Sequence, residues 1–299
     1  MKFKKYKNQF YLIALNLLFV FSCEDSAKQE SIVFFKKANF EATKGEYKEA
    51  IRLYNESIDK MKEFADAYNN RGLVYQKMGD FEKANYDYNK AISLDSNFAE
   101  AYFNRSELNL EQKNYQKALI DLEKAAKIIP DSSYLFVAMS IAKYNLKNKV
   151  GAKSDIEKAI KLNPKNAKAL VNRGYFYVQD KLFDQAESDF KAALVLDPEM
   201  DFAYNNLSFI FSQKKDFKRA NEYSIKALGY QPNNPYYLNN QGLALIGLSK
   251  FEEAQKVIDK SIELDSTNAF AYQNLGDLYL KDGQKIKAEK YFSLAKKYK

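Results

Sequence analysis

The side chains that most often catalyse reactions or bind metals are nearly absent from this sequence of 299 residues. It contains no histidine and a single cysteine, Cys23. Nucleophilic systems that combine serine or cysteine with histidine, and metal sites built on histidine or cysteine, are therefore excluded. No glycine-rich phosphate loop or dinucleotide-binding motif occurs either. The sequence predicts a chain that is not an enzyme and has no cofactor and no metal site.

Carboxylates are the remaining candidates for catalysis, because a pair of them can act as general acid and base. Most of the acidic residues occupy surface positions of predicted helices, where a solvated charge is the more common interpretation. Glu107 and Asp277 fall on a predicted binding surface, but they are too many repeats apart to act together.

The side chains that could bind a partner recur every 34 residues. When each repeat is numbered 1 to 34 from Ser31, position 6 is asparagine in six of the eight repeats: Asn70, Asn104, Asn172, Asn206, Asn240 and Asn274. An amide donates and accepts hydrogen bonds, so this ladder could hold the backbone of an extended peptide. The alternative is that each amide only satisfies neighbouring backbone groups.

A second recurrent set is apolar and largely aromatic. It comprises position 9 of repeats 4 to 7 and position 2 of four repeats: Ile141, Tyr175, Phe209 and Leu243, and Tyr134, Phe202, Tyr236 and Phe270. Exposed apolar patches often mark partner sites, and aromatic residues are good anchors. Alternatively, these side chains pack against the next repeat. We expect position 9 to be exposed, since positions 4, 7, 8 and 11 already supply the core.

Pairs of short helices must position these side chains. Positions 8, 20 and 27 are alanine, glycine or serine in every repeat, as close approach of two helices requires. The prolines fall in the joints between repeats, where a helix must stop: Pro130, Pro164, Pro198, Pro232 and Pro235. The pattern predicts two amphipathic helices and a tight turn in each repeat.

This helix–turn–helix of 34 residues resembles the tetratricopeptide repeat. The stretch from Tyr68 to Gly72, followed by Tyr75, Ala84, Tyr88 and Ala91, matches the family pattern, as does the stretch from Tyr272 to Ala295. The resemblance implies an all-α, right-handed superhelical solenoid of eight repeats: 31–64, 65–98, 99–132, 133–166, 167–200, 201–234, 235–268 and 269–299. It also implies that the first helix of each repeat lines a concave groove through positions 2, 5, 6, 9, 12 and 13.

The sequence departs from the family pattern at position 7. Arg71, Arg105 and Arg173 stand where leucine is usual, which puts the local packing in doubt. The carboxylate clamp that some family members use to grip chaperone C-termini is not matched, because its cationic residues are missing.

Residues 1–22 differ from the repeats. Four lysines precede a short apolar run, which is the pattern of a secretory signal, and the run is short for a membrane-spanning helix. Val20 to Cys23 resembles the bacterial lipobox, apart from the bulky Phe21. That resemblance implies cleavage before Cys23, which then carries the lipid (palmitate), with residues 23–30 as a lipidated cysteine and short tether. The alternatives are an ordinary signal peptide with an incidental cysteine, or an uncleaved anchor.

The charge gives no indication of a nucleic-acid partner. The formal net charge is +8, and removal of residues 1–22 with their four lysines leaves +4. Charges of both signs are interspersed through the repeats, and no recognised nucleic-acid motif occurs.

The sequence therefore predicts a non-catalytic scaffold for protein–protein interaction, lipid-anchored in a bacterial envelope, that binds a segment of an envelope protein in its groove. The alternative is an accessory module for polysaccharide binding or export. Glu24 and Asp25 resemble the export signal of surface lipoproteins in Bacteroidetes, which favours the outer membrane and leaves its side open. A homodimer through the C-terminal end face is a further possibility.

Overall fold

Residues 26–298 are described by the computed structural model, and within them the chain forms sixteen α-helices and no strand. The first helix, α1, covers residues 26–43. The others are α2 (Tyr47–Lys60), α3 (Ala65–Lys77), α4 (Phe81–Leu94), α5 (Ala99–Glu111), α6 (Tyr115–Ile128), α7 (Ser133–Asn145), α8 (Lys149–Leu162), α9 (Ala167–Gln179), α10 (Phe183–Leu196), α11 (Asp201–Gln213), α12 (Phe217–Tyr230), α13 (Pro235–Gly247), α14 (Phe251–Leu264), α15 (Ala269–Lys281) and α16 (Lys285–Tyr298). The prediction of an all-α repeat solenoid is confirmed.

The helices follow the period of the sequence. Each first helix from α3 to α15 begins at position 1 of its repeat, and each second helix begins at position 17. Several begin with a side-chain cap: the Asp80 carboxylate accepts a hydrogen bond from the backbone N–H of Lys83, and Asn234 accepts from Tyr236 and Tyr237. These bonds satisfy amide groups that a helix leaves without partners in its first turn.

The N-terminal end of the described chain differs from the expected tether. Residues 26–30 belong to α1, and Ser31 lies fully buried inside that helix, where its hydroxyl donates to the carbonyl oxygen of Ser57 at 2.9 Å. The helix therefore begins before the repeat does. The signal peptide and Cys23 lie outside the described residues. Within residues 26–298, no helix is long and apolar enough to cross a membrane.

Within the described residues the chain divides into two compact bodies, one that ends at Ala152 and one that begins at Lys153, which we call the N-terminal and C-terminal bodies. In the N-terminal body, α3 packs on α4 and α5 on α6, and each hairpin packs on the next. The C-terminal body repeats this arrangement with the hairpins α9–α10, α11–α12, α13–α14 and α15–α16.

Matched side-chain sizes set the crossing of the two helices within a hairpin. A ring occupies position 24 in four repeats, and position 8 opposite is glycine in three of them. A methyl group added to Gly72, Gly174 or Gly276 would lie 2.8, 3.1 or 2.3 Å from the ring of Tyr88, Phe190 or Phe292. Glycine therefore allows the close approach of the ring in these three repeats, whereas repeat 1 has Ala38 at position 8 with Tyr54 at position 24.

Every turn within a hairpin places position 15 in the left-handed region of backbone conformation. Glycine fills it in three repeats, and five other repeats carry a side chain there: Lys113, Lys147, Lys181, Lys215 and Ser249, with φ from 60° to 65°. A side chain disfavours this conformation, and glycine does not.

Replacing Lys181, Lys215 and Ser249 together by glycine should raise the free energy of unfolding by about 2 kcal/mol, because the relief of three strained residues exceeds the added entropy of the unfolded chain. Urea unfolding would measure this. Lys256→Gly in the middle of α14 is the control and should cost about 1 kcal/mol. Equal losses in both variants would show that the turns are not strained.

Candidate partner-binding site

The aromatic residues at position 2 lie at the start of their helices and are exposed. The exposed fractions of Tyr134, Phe202, Tyr236 and Phe270 are 56%, 40%, 52% and 63%. Three of them stand in the C-terminal body, one on each of the successive first helices α11, α13 and α15. The body therefore presents a row of aromatic rings, which we call the aromatic row.

The residues at position 9 are only half-buried, which differs from the expectation that position 9 would be exposed. This holds for Ile141, Tyr175, Phe209 and Leu243. The ring of Phe209 packs edge-on against Phe183 with centroids 6.4 Å apart, and Tyr175 lies 6.1 Å from Phe202. Neighbouring first helices such as α9 and α11 pack together. Position 9 is therefore largely covered by the adjacent repeat, and position 2 supplies the free surface.

The asparagine ladder at position 6 joins successive first helices. Its Nδ2 atoms donate to the side-chain oxygen of an asparagine in the preceding repeat: Asn70 to Asn39 at 3.0 Å, Asn104 to Asn69 at 3.0 Å, Asn240 to Asn205 at 2.8 Å and Asn274 to Asn239 at 2.8 Å. Such bonds between buried or half-buried amides hold the register of neighbouring repeats.

The remaining two ladder residues bond to their own helix. Asn172 donates to the carbonyl oxygen of Lys168 and Asn206 to that of Phe202, each at 2.8 Å. Every asparagine of the predicted ladder thus uses an amide N–H within the protein. The alternative interpretation, in which the amides satisfy neighbouring backbone groups, describes Asn172 and Asn206, whereas the other four bond to asparagine side chains.

Repeats 1 to 3 of the N-terminal body present a polar surface on their first helices, whereas α7 of the same body carries the exposed Tyr134. A cavity of about 430 Å³ is lined by Leu73, Gln76, Lys77, Asn104, Glu107 and Glu111. In the C-terminal body, positions 2, 6 and 9 of α11, α13 and α15 carry one charged residue, Asp277. Burial raises the pKa of Asp277, and a hydrogen bond from Gln273 opposes that rise. Repeats 1 to 3 and the helices α11, α13 and α15 therefore offer different chemistry: polar and acidic in the first set, aromatic and nearly uncharged in the second.

Buried ion pairs are the feature that sequence reasoning missed. Arg71 bonds to both carboxylate oxygens of Asp87 at 2.8 and 2.7 Å, and its third nitrogen donates to Asn55 of the preceding repeat. The same arrangement recurs for Arg105 with Asp121 and Asn89, and for Arg173 with Asp189 and Glu157. Position 7 thus pairs with position 23 inside the repeat and with position 25 of the repeat before it.

The electrostatics of these pairs favour the charged guanidinium. Burial lowers the pKa of Arg71, but the hydrogen bonds and charge of Asp87 raise it, and the net shift is upward. Hydrogen bonding to Asp189 is the main cause of the raised pKa of Arg173. The signal in the sequence was the spacing of 16 residues between each arginine and its aspartate.

Two other repeats replace the ion pair by stacked rings. Where position 7 is Leu207 or Leu275, position 23 is tyrosine: Tyr223 stacks on Phe211 at 5.4 Å, and Tyr291 on Tyr279 at 5.3 Å. Both the ion pair and the stacked rings join the two helices of a hairpin, and neither leaves a buried charge without a partner. The arginines at position 7 therefore belong to the packing of the hairpin.

A metal site is not evident in the part of the chain that the structure describes. There, no group of three or more histidine, cysteine, aspartate or glutamate residues is placed to hold an ion.

These observations define an all-α protein of stacked helical hairpins that presents side chains for binding. Models of the tetratricopeptide repeat match residues 39–79, 65–98, 99–132, 156–188, 203–234, 235–268 and 257–290. The chain belongs to the tetratricopeptide repeat family, as its sequence predicted. Proteins with this fold are generally non-catalytic scaffolds for protein–protein interaction.

Solved structures share the fold. A tetratricopeptide repeat protein from Parabacteroides merdae ATCC 43184 is similar with a TM-score of 0.64 at 17% identity, over 89% of this chain and 99% of that chain. PilF of Pseudomonas aeruginosa gives 0.56 at 24% identity, over 64% and 88%. The Cut9–Hcn1 hetero-tetramer of the APC/C gives 0.70 at 14% identity, over 84% of this chain and 50% of that chain. A comparison with curated proteins returned no match.

Proposed function

We propose that this protein is a non-catalytic scaffold, lipid-anchored through Cys23 in a bacterial envelope, that binds an apolar segment of a partner protein along the first helices of its C-terminal body. The observation that carries the proposal is the aromatic row, Phe202, Tyr236 and Phe270. These rings are 40%, 52% and 63% exposed on successive helices. Exposed aromatic patches on folded proteins are typical of interaction sites.

The support beneath the row favours a rigid site. Phe202 lies against Tyr175, and the half-buried Phe209 and Leu243 stand on the same first helices as the row. Because the asparagines of this surface bond to one another, the helices that carry the rings are held in register. A preorganised row reduces the entropy that binding must overcome.

A protein segment fits this surface better than a polysaccharide does. Aromatic rings stack on sugars, but sugar hydroxyls also need hydrogen-bonding groups beside the ring. The amides nearest the row in sequence already bond to each other, as in Asn205 with Asn240 and Asn239 with Asn274. An apolar segment requires only the burial of the rings.

The anchor rests on the sequence before residue 26. A basic head, a short apolar run and the lipobox-like stretch that ends at Cys23 support acylation of the cysteine. An outer-membrane location is the accompanying proposal.

The test compares the partners captured by the wild type and by a Tyr236→Ala, Phe270→Ala variant from detergent-solubilised envelopes of the source bacterium. A photoreactive phenylalanine analogue at position 270 would identify the protein that touches the row. We expect the double variant to bind that protein at least 30-fold more weakly, because a buried aromatic anchor typically contributes about 2 kcal/mol or more.

The matched control is Tyr86→Ala with Ile225→Ala, which removes exposed apolar side chains from second helices (65% and 53% exposed). The control should retain the partner. Undiminished capture by the Tyr236→Ala, Phe270→Ala variant would overturn the proposal. Capture of a polysaccharide with no protein at position 270 would favour the polysaccharide alternative.

A further inference from the structure

Position 11 of the first helix carries an aromatic ring in four repeats, and a cation faces that ring. The pairs and their distances to the ring centre are Lys83 over Tyr75 at 5.3 Å, Arg173 over Tyr177 at 5.8 Å, Arg219 over Phe211 at 4.3 Å and Lys287 over Tyr279 at 5.1 Å. In three of these pairs the cation comes from position 19, at the start of the second helix. Attraction of a cation to a ring face stabilises such an arrangement.

Repeat 3 keeps the cations but has no ring at position 11. Asn109 takes that place, is 9% exposed, and donates to the carbonyl oxygen of Arg105 at 3.0 Å. Lys117 stands at position 19, and its side-chain ammonium makes no hydrogen bond, ion pair or ring contact within residues 26–298. Repeat 3 therefore has the cation of the pair that repeats 2, 6 and 8 form between positions 11 and 19, but it lacks the ring.

Arg105, the arginine at position 7 of repeat 3, also has one aromatic contact fewer than the corresponding Arg71 of repeat 2. In repeat 2, Arg71 lies near two rings, Tyr68 at 5.4 Å and Tyr75 at 5.9 Å. In repeat 3, Arg105 has Tyr102 at 5.7 Å, and the residue that corresponds to Tyr75 is Asn109. One of the two aromatic contacts of the arginine is thus replaced by an amide.

A cavity of about 470 Å³ opens at this place between α4, α5 and α6. Its lining includes Phe81, Asn85, Asn89, Arg105, Asn109 and Lys117. The corresponding groove between repeats 7 and 8 is larger, about 580 Å³, although Tyr279 and Lys287 form part of its wall. The cavity in repeat 3 therefore corresponds to this groove but has no aromatic residue at position 11.

We propose that this cavity receives an aromatic side chain, tyrosine or phenylalanine, from a polypeptide bound to the N-terminal body. The incoming ring would lie against Lys117 and Arg105, as Tyr75 lies against Lys83 and Arg71. The site shares no residue with the aromatic row, and it rests on the scaffold role proposed above.

The test is an NMR titration of the full chain, purified in mild detergent, with N-acetyl-L-tyrosinamide and with N-acetyl-L-leucinamide. We expect the tyrosine amide to bind in the millimolar range and at least about fivefold more tightly than the leucine amide, as the attraction of two cations to a ring implies. Asn109→Tyr should abolish this binding because its own ring takes the place beside Lys117, as Tyr75 does beside Lys83. Lys117→Met, which keeps the side-chain length, should weaken it about threefold or more.

A reciprocal variant makes the test independent of the stability of Asn109→Tyr. Tyr75→Asn should open a second cavity beside Lys83 and add a second binding site for the tyrosine amide. Equal binding of the two amides by the wild type would overturn the proposal, and so would unchanged binding in both Asn109→Tyr and Lys117→Met. Neither result would bear on the aromatic row, whose partner is tested through Tyr236 and Phe270.

Discussion

Replacing Arg71 by leucine is expected to lower the free energy of unfolding by about 3 to 5 kcal/mol, because the buried carboxylate of Asp87 then loses its partner. The side chains of Arg71 and Asp87 are 14% and 1% exposed. A charge that is desolvated to this degree cannot regain its hydration without opening the hairpin. Urea unfolding of the wild type and the variant measures the loss.

A double variant provides the matched control. Arg71→Leu with Asp87→Tyr reproduces the residues that repeats 6 and 8 carry at positions 7 and 23, and Tyr75 offers a ring for the new tyrosine to stack on. Replacing a buried ion pair by well-packed apolar side chains is often neutral or stabilising. We therefore expect the double variant to regain most of the lost stability. A double variant as unstable as Arg71→Leu would show that the two pairings are not interchangeable.

The pH dependence separates loss of the ion pair from loss of packing. Burial raises the pKa of Asp87, and the hydrogen bonds and charge of Arg71 oppose that rise. Without Arg71 the folded-state pKa rises further above its unfolded value. The variant is then least impaired below the unfolded pKa, near pH 4, and loses stability as the pH rises through the folded pKa. A deficit that is equal at pH 4 and pH 7 would indicate that only packing was lost.

The fold could be predicted from the sequence because it depends on positions that repeat without interruption. Small residues at positions 8, 20 and 27 and prolines in the joints place every helix pair, and the helices begin where that numbering puts them. Each of these positions occurs in all eight repeats, so an unusual residue such as Lys149 at the start of α8 does not obscure the pattern.

The binding surface was less accessible to sequence reasoning. A period locates a residue within its own helix, but the neighbouring repeat decides whether that residue is covered. Phe209 and Phe202 lie seven residues apart on one helix, yet Phe209 is half-buried and Phe202 is 40% exposed. The role of Arg71 was hidden for a similar reason, since its partners Asp87 and Asn55 come from two other helices.

Replacing Phe190 by alanine is the second change with a large expected effect, about 3 to 5 kcal/mol of the free energy of unfolding. Phe190 is fully buried in the core of the C-terminal body. Its ring fills the space that Gly174 leaves on the facing helix, at 3.1 Å from the position of an added methyl group. The loss should appear in urea unfolding as a lower midpoint.

A smaller change tests whether the ring and the glycine are matched. Repeat 3 has Ser106 and the buried Leu122 at the corresponding positions, which suggests Gly174→Ser with Phe190→Leu as a functional pair. In the wild type, Gly174→Ser should cost about 1 to 3 kcal/mol because the ring must move. In the Phe190→Leu background the same change should instead stabilise the protein by about 0.5 to 1 kcal/mol, since serine restricts the unfolded chain and the ring is gone. A double-mutant cycle measures this reversal of sign. If Gly174→Ser were destabilising by the same amount in both backgrounds, the glycine would be required by something other than the ring of Phe190.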